Sequence, residues 1–228
     1  MRCASGPACR CCRPPDPVVT EVKICGVRDP EAMDAVAEAL AEWVGFVFFP
    51  PSPRAIEPAA AAALAARHPG GPRAVGLFVD PEDTDIATVL DALPLAALQV
   101  HASAERAAAV QARFGLPVWH AVGIATAADL PSAAPGVRRL LLDHKAPPGA
   151  TLPGGNATAF DWSVLRNWAA PVPWVLAGGL TPHTVTEAIG LTGAPAVDVS
   201  SGVERSRGIK DPALIRAFVA AAKAAPTS

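Results

Sequence analysis

Two residues with acid–base chemistry stand together at the end of the first apolar run. Lys23 and Cys25 are two apart in VVTEVKICG, so on a strand their side chains leave the same face. A free thiol has a pKa of about 8.5, and a neighbouring ammonium favours the thiolate, which is a usable base or nucleophile. A buried cysteine is more often an inert small hydrophobe, and this interpretation stays open.

A carboxyl group ends another apolar run. Asp143 follows three leucines in RRLLLDHK. A carboxyl group that is partly withdrawn from water has a raised pKa, which suits a general acid near neutral pH. The alternative is a strand-end aspartate that only caps loop amides.

Two glycine-bearing turns follow the last two apolar runs. Gly178 and Gly179 lie in LAGGL, and Ser201 and Gly202 lie in VDVSSGVE. Glycines let backbone amides approach an anion closely, and barrels commonly hold phosphate in the loops after strands seven and eight. These turns therefore predict a phosphate site, although a pair of tight turns without a ligand is the alternative.

Three further polar residues stand at strand ends. Arg54 follows the proline-rich FVFFPPSP, and a guanidinium held there could grip a carboxylate through two parallel hydrogen bonds; a solvated surface arginine is the alternative. Gln99 and His101 share one face, where His101 either polarises a substrate oxygen or only lines the site. The remaining histidines show no ligand-like grouping, so we expect no metal.

The elements that carry these residues alternate between strands and helices. Such alternation predicts a parallel sheet, and eight strands favour a single (β/α)8 TIM barrel, in which all carboxyl ends converge on one face. The predicted strands are 18–25, 43–48, 73–79, 96–100, 117–122, 137–142, 172–177 and 196–200, and the clearest helices are 29–42, 58–67, 104–114, 182–189 and 212–223.

Composition limits the classes of partner. The 228 residues are 51% hydrophobic with a net charge of −2, and the basic residues are scattered, so nucleic acid is not expected. No apolar stretch approaches the roughly 20 residues that cross a bilayer, and no secretion signal is visible, so the cytoplasm is the default location.

Two segments fall outside this regular pattern. Residues 1–17 hold four of the five cysteines and almost no apolar side chains, and we predict a disordered leader before a barrel domain at 18–228. A zinc site there would need a second cysteine pair, which the chain lacks. The stretch 144–159 is rich in Pro and Gly and predicts a mobile cover over the site, with a passive insertion as the alternative.

The motifs VKICG, GFVFFPPSPR, LQVH, LLLD, FDW, LAGGLTP and VDVSSGVERSRGIKD, in this order over about residues 19–222, resemble the phosphoribosylanthranilate isomerase family of tryptophan biosynthesis. The resemblance implies a cofactor-free Amadori rearrangement of N-(5-phosphoribosyl)anthranilate. It implies that Cys25 is the general base and Asp143 the general acid, and that Arg54 holds the anthranilate carboxylate.

The resemblance also implies a phosphate cradle and further substrate contacts. The cradle is formed by Gly178, Gly179, Ser201 and Gly202, with Gly155 from the loop after the sixth strand. The further contacts are expected from Lys23, Gln99, His101 and Asp198. The expected partner is a small phosphorylated substrate, and both a monomer and a homodimer are compatible with the sequence.

Two other functions remain open at this point. One is another sugar-phosphate isomerase, epimerase or synthase on the same fold, against which the missing metal ligands count. The other is a catalytically silent barrel that binds a phosphorylated metabolite. A silent barrel would have no reason to retain both Cys25 and Asp143.

Overall fold

Eight parallel strands close into a barrel in which neighbours in sequence are neighbours in space, and β8 pairs with β1. The computed structural model describes residues 19–145 and 161–226. The predicted (β/α)8 barrel is confirmed. The strands are β1 (Glu21–Cys25), β2 (Trp43–Val47), β3 (Arg73–Val79), β4 (Ala97–His101), β5 (Val118–Ile124), β6 (Arg139–His144), β7 (Trp174–Leu176) and β8 (Ala196–Val199).

Helices cover the outside of the barrel. In the described ranges they are α1 (Pro30–Glu38), α2 (Pro58–Ala65), α3 (Asp83–Ala92), α4 (Ala104–Phe114), α5 (Val185–Thr192) and α6 (Pro212–Lys223). Three of them begin with proline at the first position, where its missing N–H costs nothing. In α1 the Asp29 carboxylate also accepts a hydrogen bond from the amide of Ala32 at 2.8 Å.

The helical rhythm departs from the sequence prediction in two places. Helix α3, which the sequence analysis did not single out, begins with a capping box between Glu82 and Asp85. After β5, where the strand–helix alternation by itself would place a helix but the sequence analysis names none, the chain forms a single 3₁₀ turn at Ala127–Asp129. Pro131 and Pro135 follow within a few residues and prevent the turn from extending into an α-helix.

The barrel interior is filled by side chains from alternate strand positions. The indole rings of Trp43 on β2 and Trp119 on β5 lie 4.8 Å apart in an edge-to-face arrangement, which requires contact across the interior because these strands are not neighbours. The guanidinium of Arg73 stacks 3.5 Å from the Trp43 ring. This packing fills the amino-terminal end, so the polar chemistry is left to the carboxyl-terminal mouth.

A short antiparallel ribbon follows β8. It is formed by β9 (Glu204–Ser206) and β10 (Ile209–Lys210), with Lys210 opposite Glu204. No helix among the described residues is both long and apolar enough to cross a membrane.

Candidate active site

The parallel pairing of β1 with β8 brings Lys23 beside Asp198. The two residues are direct partners in the strand register, and the Lys23 ammonium lies 2.8 Å from the Asp198 carboxylate. Both are buried. Burial alone would lower the pKa of Lys23, but Asp198 and Cys25 outweigh it and raise the pKa. Lys23 is therefore a fixed positive charge inside the barrel.

The Cys25 thiol shares the interior face with Lys23, as the strand spacing predicts. Val22 and Ile24 point to the opposite side and pack in the hydrophobic core. The thiol faces Gly45 on β2, where a β-carbon would lie 3.0 Å from Cys25 Sγ and 3.1 Å from Lys23 Cε. The sequence analysis missed Gly45, although a glycine inside an apolar strand signals a close approach of this kind.

The charge state of Cys25 differs from the simplest expectation. Burial raises the pKa of the thiol and the Asp198 carboxylate adds to this effect, while Lys23 and Lys210 offset only part of it. The spacing of Lys23 and Cys25 in the sequence favours the thiolate and leaves the inert buried thiol open as the alternative. Desolvation is larger here because the thiol is only 4% exposed, so the thiolate is a minor species at neutral pH.

Asp143 has the environment of a general acid. Burial raises its pKa from 3.8 to about 7, although a hydrogen bond of 2.8 Å from the amide of His144 opposes the shift. The side chain keeps some accessible surface at the barrel mouth, while protein atoms surround it on most sides. Lys23 and Asp198 act on the pKa of both Asp143 and Cys25, so these groups share one electrostatic environment.

The loops after β7 and β8 lie against each other. Gly178 and Gly179 both have positive φ, at 83° and 69°. A β-carbon on Gly178 would lie 3.0 Å from the Asp143 carboxylate, so this glycine also makes room for the acid. A β-carbon on Gly202 would lie 1.9 Å from the carbonyl oxygen of Leu180, which no substitution could accommodate without moving a loop.

The start of the β8 loop is tied to the end of β1. Ser201 begins a single 3₁₀ turn at Ser201–Val203. The hydroxyl of Ser200 donates to the carbonyl of Cys25 at 3.2 Å. The backbone groups that could receive an anion therefore sit next to the strand that carries the thiol.

Gln99 and His101 contact each other, as their common face predicts. The Gln99 amide nitrogen lies 3.0 Å from His101 Nε2, and because the amide donates, this ring nitrogen accepts. Burial, with smaller contributions from Lys23 and His120, lowers the pKa of His101 to about 4. His101 is thus neutral at physiological pH. The Gln99 carbonyl oxygen is buried and has no partner among the described residues.

Arg54 is buried rather than solvated. Its guanidinium makes a bidentate ion pair with Glu204, with Nε 2.6 Å and Nη2 3.0 Å from the two carboxylate oxygens. Lys210 donates to the same carboxylate at 2.9 Å. Arg54 and Lys210 together hold the pKa of Glu204 at about 2, although burial by itself would raise it. Glu204 and Lys210 stand in the VDVSSGVERSRGIKD motif, but the sequence alone assigns neither of them a role.

Three of the sequence predictions concern residues that the structure does not describe. Gly155, the leader at 1–17 and most of the 144–159 loop lie outside the described residues. Within the described ranges, no cluster of three or more His, Cys, Asp or Glu side chains could hold a metal ion.

Fold and site together define a class of protein. A closed barrel that carries a buried thiol, a carboxyl group of raised pKa and two apposed glycine loops at one mouth is typical of a phosphate-binding barrel enzyme that works by acid–base catalysis.

Comparison with known proteins identifies the family within this class. A family model described as N-(5'phosphoribosyl)anthranilate (PRA) isomerase matches residues 22–221. The N-(5'-phosphoribosyl)anthranilate isomerase of Granulibacter bethesdensis is 54% identical over 207 residues, which cover 90% of this chain and 99% of that protein. That of Acidiphilium cryptum is 54% identical over 209 residues, covering 91% and 100%. The chain belongs to the N-(5'-phosphoribosyl)anthranilate isomerase family.

Solved structures agree with this assignment. Phosphoribosyl anthranilate isomerase from Thermotoga maritima superposes with a TM-score of 0.79 at 36% identity, covering 90% of this chain and 98% of that one. A structure of the enzyme in complex with reduced 1-(o-carboxyphenylamino)-1-deoxyribulose 5-phosphate gives a TM-score of 0.77 at 34% identity, with 90% and 98% coverage.

Proposed function

We propose that Cys25 and Asp143 carry the proton transfers of the isomerisation of N-(5'-phosphoribosyl)anthranilate to 1-(2-carboxyphenylamino)-1-deoxyribulose 5-phosphate. The chain is an isomerase of tryptophan biosynthesis by its family. The observation that carries the residue assignment is the enclosure of the Asp143 carboxyl and the Cys25 thiol near the buried Lys23–Asp198 ion pair, where burial raises the pKa of Asp143 to about 7.

In the first step Asp143 acts as the general acid. Its proton passes to the ring oxygen of the ribose, the bond from that oxygen to C1 breaks, and the anthranilate nitrogen lone pair forms a Schiff base with C1. A carboxyl group with a pKa near 7 is still half protonated at neutral pH, whereas an ordinary aspartic acid would be almost wholly ionised.

In the second step Cys25 acts as the general base. The thiolate removes the proton from C2, and the electrons of that bond move toward the Schiff base nitrogen to give an enolamine. The enolamine then tautomerises to the ketone. The raised pKa of Cys25 makes the thiolate scarce but also makes it a stronger base, and Lys23 at its side limits the cost of forming it.

We also propose groups that bind the two anionic ends of the substrate. We assign the anthranilate carboxylate to Arg54 and the phosphate to the backbone of Gly178, Gly179, Ser201 and Gly202. The apposed loops after β7 and β8 support the phosphate assignment because backbone amides in such turns receive anions well. The assignment of Gly155 to the same phosphate rests on the family resemblance alone.

Interior polar groups complete the proposed site. Neutral His101, held by Gln99, can donate from Nδ1 to a substrate oxygen, since its Nε2 accepts from the amide. The Lys23–Asp198 pair supplies fixed charges close to both reacting groups. We assign all four to substrate contact or to orientation of the reacting groups.

The experiment follows the fluorescence of N-(5'-phosphoribosyl)anthranilate during turnover by the purified protein. The wild type should convert the substrate, and Cys25→Ala should lower kcat by at least ~100-fold, the usual scale for loss of a general base. Cys25→Ser is the matched control for packing because it keeps the shape of the side chain and loses the thiolate, so its activity should also be low. Near-normal turnover by both variants would remove Cys25 from the mechanism.

Assembly and location are part of the proposal. We propose that the chain works as a monomer or a homodimer, since a related structure is described as monomers generated from a dimeric isomerase of Thermotoga maritima. Sedimentation equilibrium tests this, and a larger assembly would contradict it. We propose a cytoplasmic location because the family is biosynthetic.

A further inference from the structure

The Arg54 guanidinium has a carboxylate partner within the protein. Glu204 occupies the edge formed by Nε and Nη2, and both side chains are almost wholly buried, at 6% and 4% exposed. A bidentate pair of this kind fixes the plane of the guanidinium. The substrate carboxylate is then left with the remaining edge, which carries Nη1. Glu204 therefore fixes the orientation of the Arg54 guanidinium.

Lys210 joins this pair to the strand that carries the thiol. Its ammonium is fully buried and donates to Glu204 at 2.9 Å, to the Ser200 carbonyl at 2.9 Å and to the Ser200 hydroxyl at 3.2 Å. The Ser200 hydroxyl donates in turn to the carbonyl of Cys25. One chain of hydrogen bonds therefore runs from Arg54 to the backbone of Cys25.

Two glycines allow the polypeptide to close around this network. Gly26, directly after Cys25, has φ 77°, and a β-carbon there would lie 2.8 Å from Arg54 Cδ. Gly208, in the turn of the β9–β10 ribbon, has φ 80° and donates its amide to Glu204 at 3.0 Å. A β-carbon on Gly208 would lie 2.7 Å from the Pro53 carbonyl, so the ribbon is seated directly against the loop that carries Arg54.

The charges of Arg54, Glu204 and Lys210 favour the binding of one further anion. A single carboxylate, Glu204, lies between the buried side chains of Arg54 and Lys210. Burial lowers the pKa of Lys210 and Glu204 opposes this effect, and the group of three carries one excess positive charge whenever Lys210 is protonated. An unbalanced buried charge is costly, and a substrate carboxylate would neutralise it. Without Glu204 the two cations would repel each other and Arg54 would lose its fixed direction.

We infer that Glu204 and Lys210 are positioning residues, which aim Arg54 at the substrate carboxylate and couple that binding site to the backbone of the base. This inference rests on the proposed function, because it takes Arg54 as the carboxylate site and Cys25 as the base. Neither residue touches substrate in this account; each acts through the groups it holds.

The first test is a double-mutant cycle on KM and kcat. Glu204→Gln keeps the shape of the side chain and removes its charge, so KM for N-(5'-phosphoribosyl)anthranilate should rise at least ~10-fold while kcat changes less than about 3-fold. In an Arg54→Ala background, which already lacks the carboxylate site, the same change should alter KM less than about 2-fold. Glu38→Gln is the matched control, since it removes an exposed ion pair with Arg216.

A second variant keeps the test decisive if Glu204→Gln does not fold. Arg54→Lys retains the positive charge but cannot form the bidentate pair, so it should raise KM at least ~10-fold. An active wild type whose KM is unchanged in Glu204→Gln or in Arg54→Lys would overturn the positioning role. An equal effect of Glu204→Gln with and without Arg54 would also overturn it. An inactive wild type would instead refute the proposed function, and the inference with it.

Lys210 is tested through the pH dependence of turnover. Its positive charge is one of the two that oppose the raised pKa of the thiol. Lys210→Met should therefore move the upper break of the kcat/KM profile, which we assign to Cys25, to higher pH. An unchanged break in a folded and active variant would show that Lys210 does not act on the base.

Discussion

The pH dependence of Asp143→Asn gives a sharp prediction because the acid and the base titrate in an unusual order. The pKa of Asp143 is about 7, and burial raises the pKa of Cys25 above its ordinary value of about 8.5. The productive form has Asp143 protonated and Cys25 ionised. Between about pH 7 and the pKa of Cys25, each further ionisation of Cys25 is matched by a loss of the Asp143 proton, so the population of that form is nearly constant; above the pKa of Cys25 it falls.

The expected magnitudes follow from these two values. Between pH 7 and pH 8.5 the kcat/KM of the wild type should change by no more than about 2-fold. Asp143→Asn has no proton to lose, so its much lower activity should follow the thiolate alone and rise roughly 30-fold over the same range. The ratio of variant to wild type should therefore rise roughly 15-fold. At pH 7 the variant should be at least ~100-fold slower than the wild type.

The assay is the decay of substrate fluorescence at substrate concentrations well below KM, measured for both proteins in the same buffers. Ionisation of the substrate phosphate, near pH 6, affects both proteins alike and cancels in the ratio. A ratio that stays constant between pH 7 and pH 8.5 would refute the assignment of a raised pKa to the catalytic acid. Equal activity of the two proteins at pH 7 would refute the role itself.

Three further predictions concern the loops, the buried acid and the domain boundary. Gly202→Ala should raise KM at least ~10-fold, because its β-carbon would lie 1.9 Å from the Leu180 carbonyl and would force the proposed phosphate loops apart; an unchanged KM in steady-state kinetics would contradict this. Between pH 5 and pH 8 the wild type should lose ~1 to 2 kcal/mol of unfolding free energy relative to Asp143→Asn in urea titrations. The sign follows because a carboxyl group whose folded pKa rises from 3.8 to about 7 stabilises the fold below pH 3.8 and loses that contribution as the pH rises through 7; parallel stability curves would show that the carboxyl is not desolvated. Deleting residues 2–17 should leave kcat and the thermal midpoint unchanged, and loss of folding would make the leader part of the domain.

The barrel could be predicted from the sequence because local pattern determines it. Apolar runs of strand length, and proline-led helix starts such as those at Pro30 and Pro212, are local signals. The strand–helix alternation does not extend to the segment after β5, because the prolines that follow Ala127–Asp129 limit it to a single 3₁₀ turn. Helix α3 was missed although its capping box is visible in the sequence.

The candidate site was only partly predictable, since several of its contacts join residues that are far apart in the chain. Arg54 and Glu204 are separated by 150 positions in the sequence. The residues that flank each of them give no indication that the two side chains form an ion pair. The pairing of Lys23 with Asp198 depends on closure of the barrel between β1 and β8. A glycine inside an apolar strand, such as Gly45, indicates a close approach of another group. Only the β1–β2 register identifies that group as the Cys25 side chain.

The charge state of the thiol could not be predicted from residue types. The sequence shows a lysine two residues from Cys25, which favours the thiolate. The degree of burial, which favours the thiol, depends on how closely the barrel packs around both groups. Desolvation exceeds the effect of the cation, so the pKa of Cys25 rises.

A crystal structure of this protein with bound reduced 1-(o-carboxyphenylamino)-1-deoxyribulose 5-phosphate would test the central claim most directly. We expect the sugar to lie between the two proposed catalytic groups, with its C2 about 3.5 Å from Cys25 Sγ and the Asp143 carboxyl group facing the opposite side of the sugar. The carboxylate of the ligand should contact Arg54. A ligand whose sugar contacts neither Cys25 nor Asp143 would contradict the proposed acid–base mechanism.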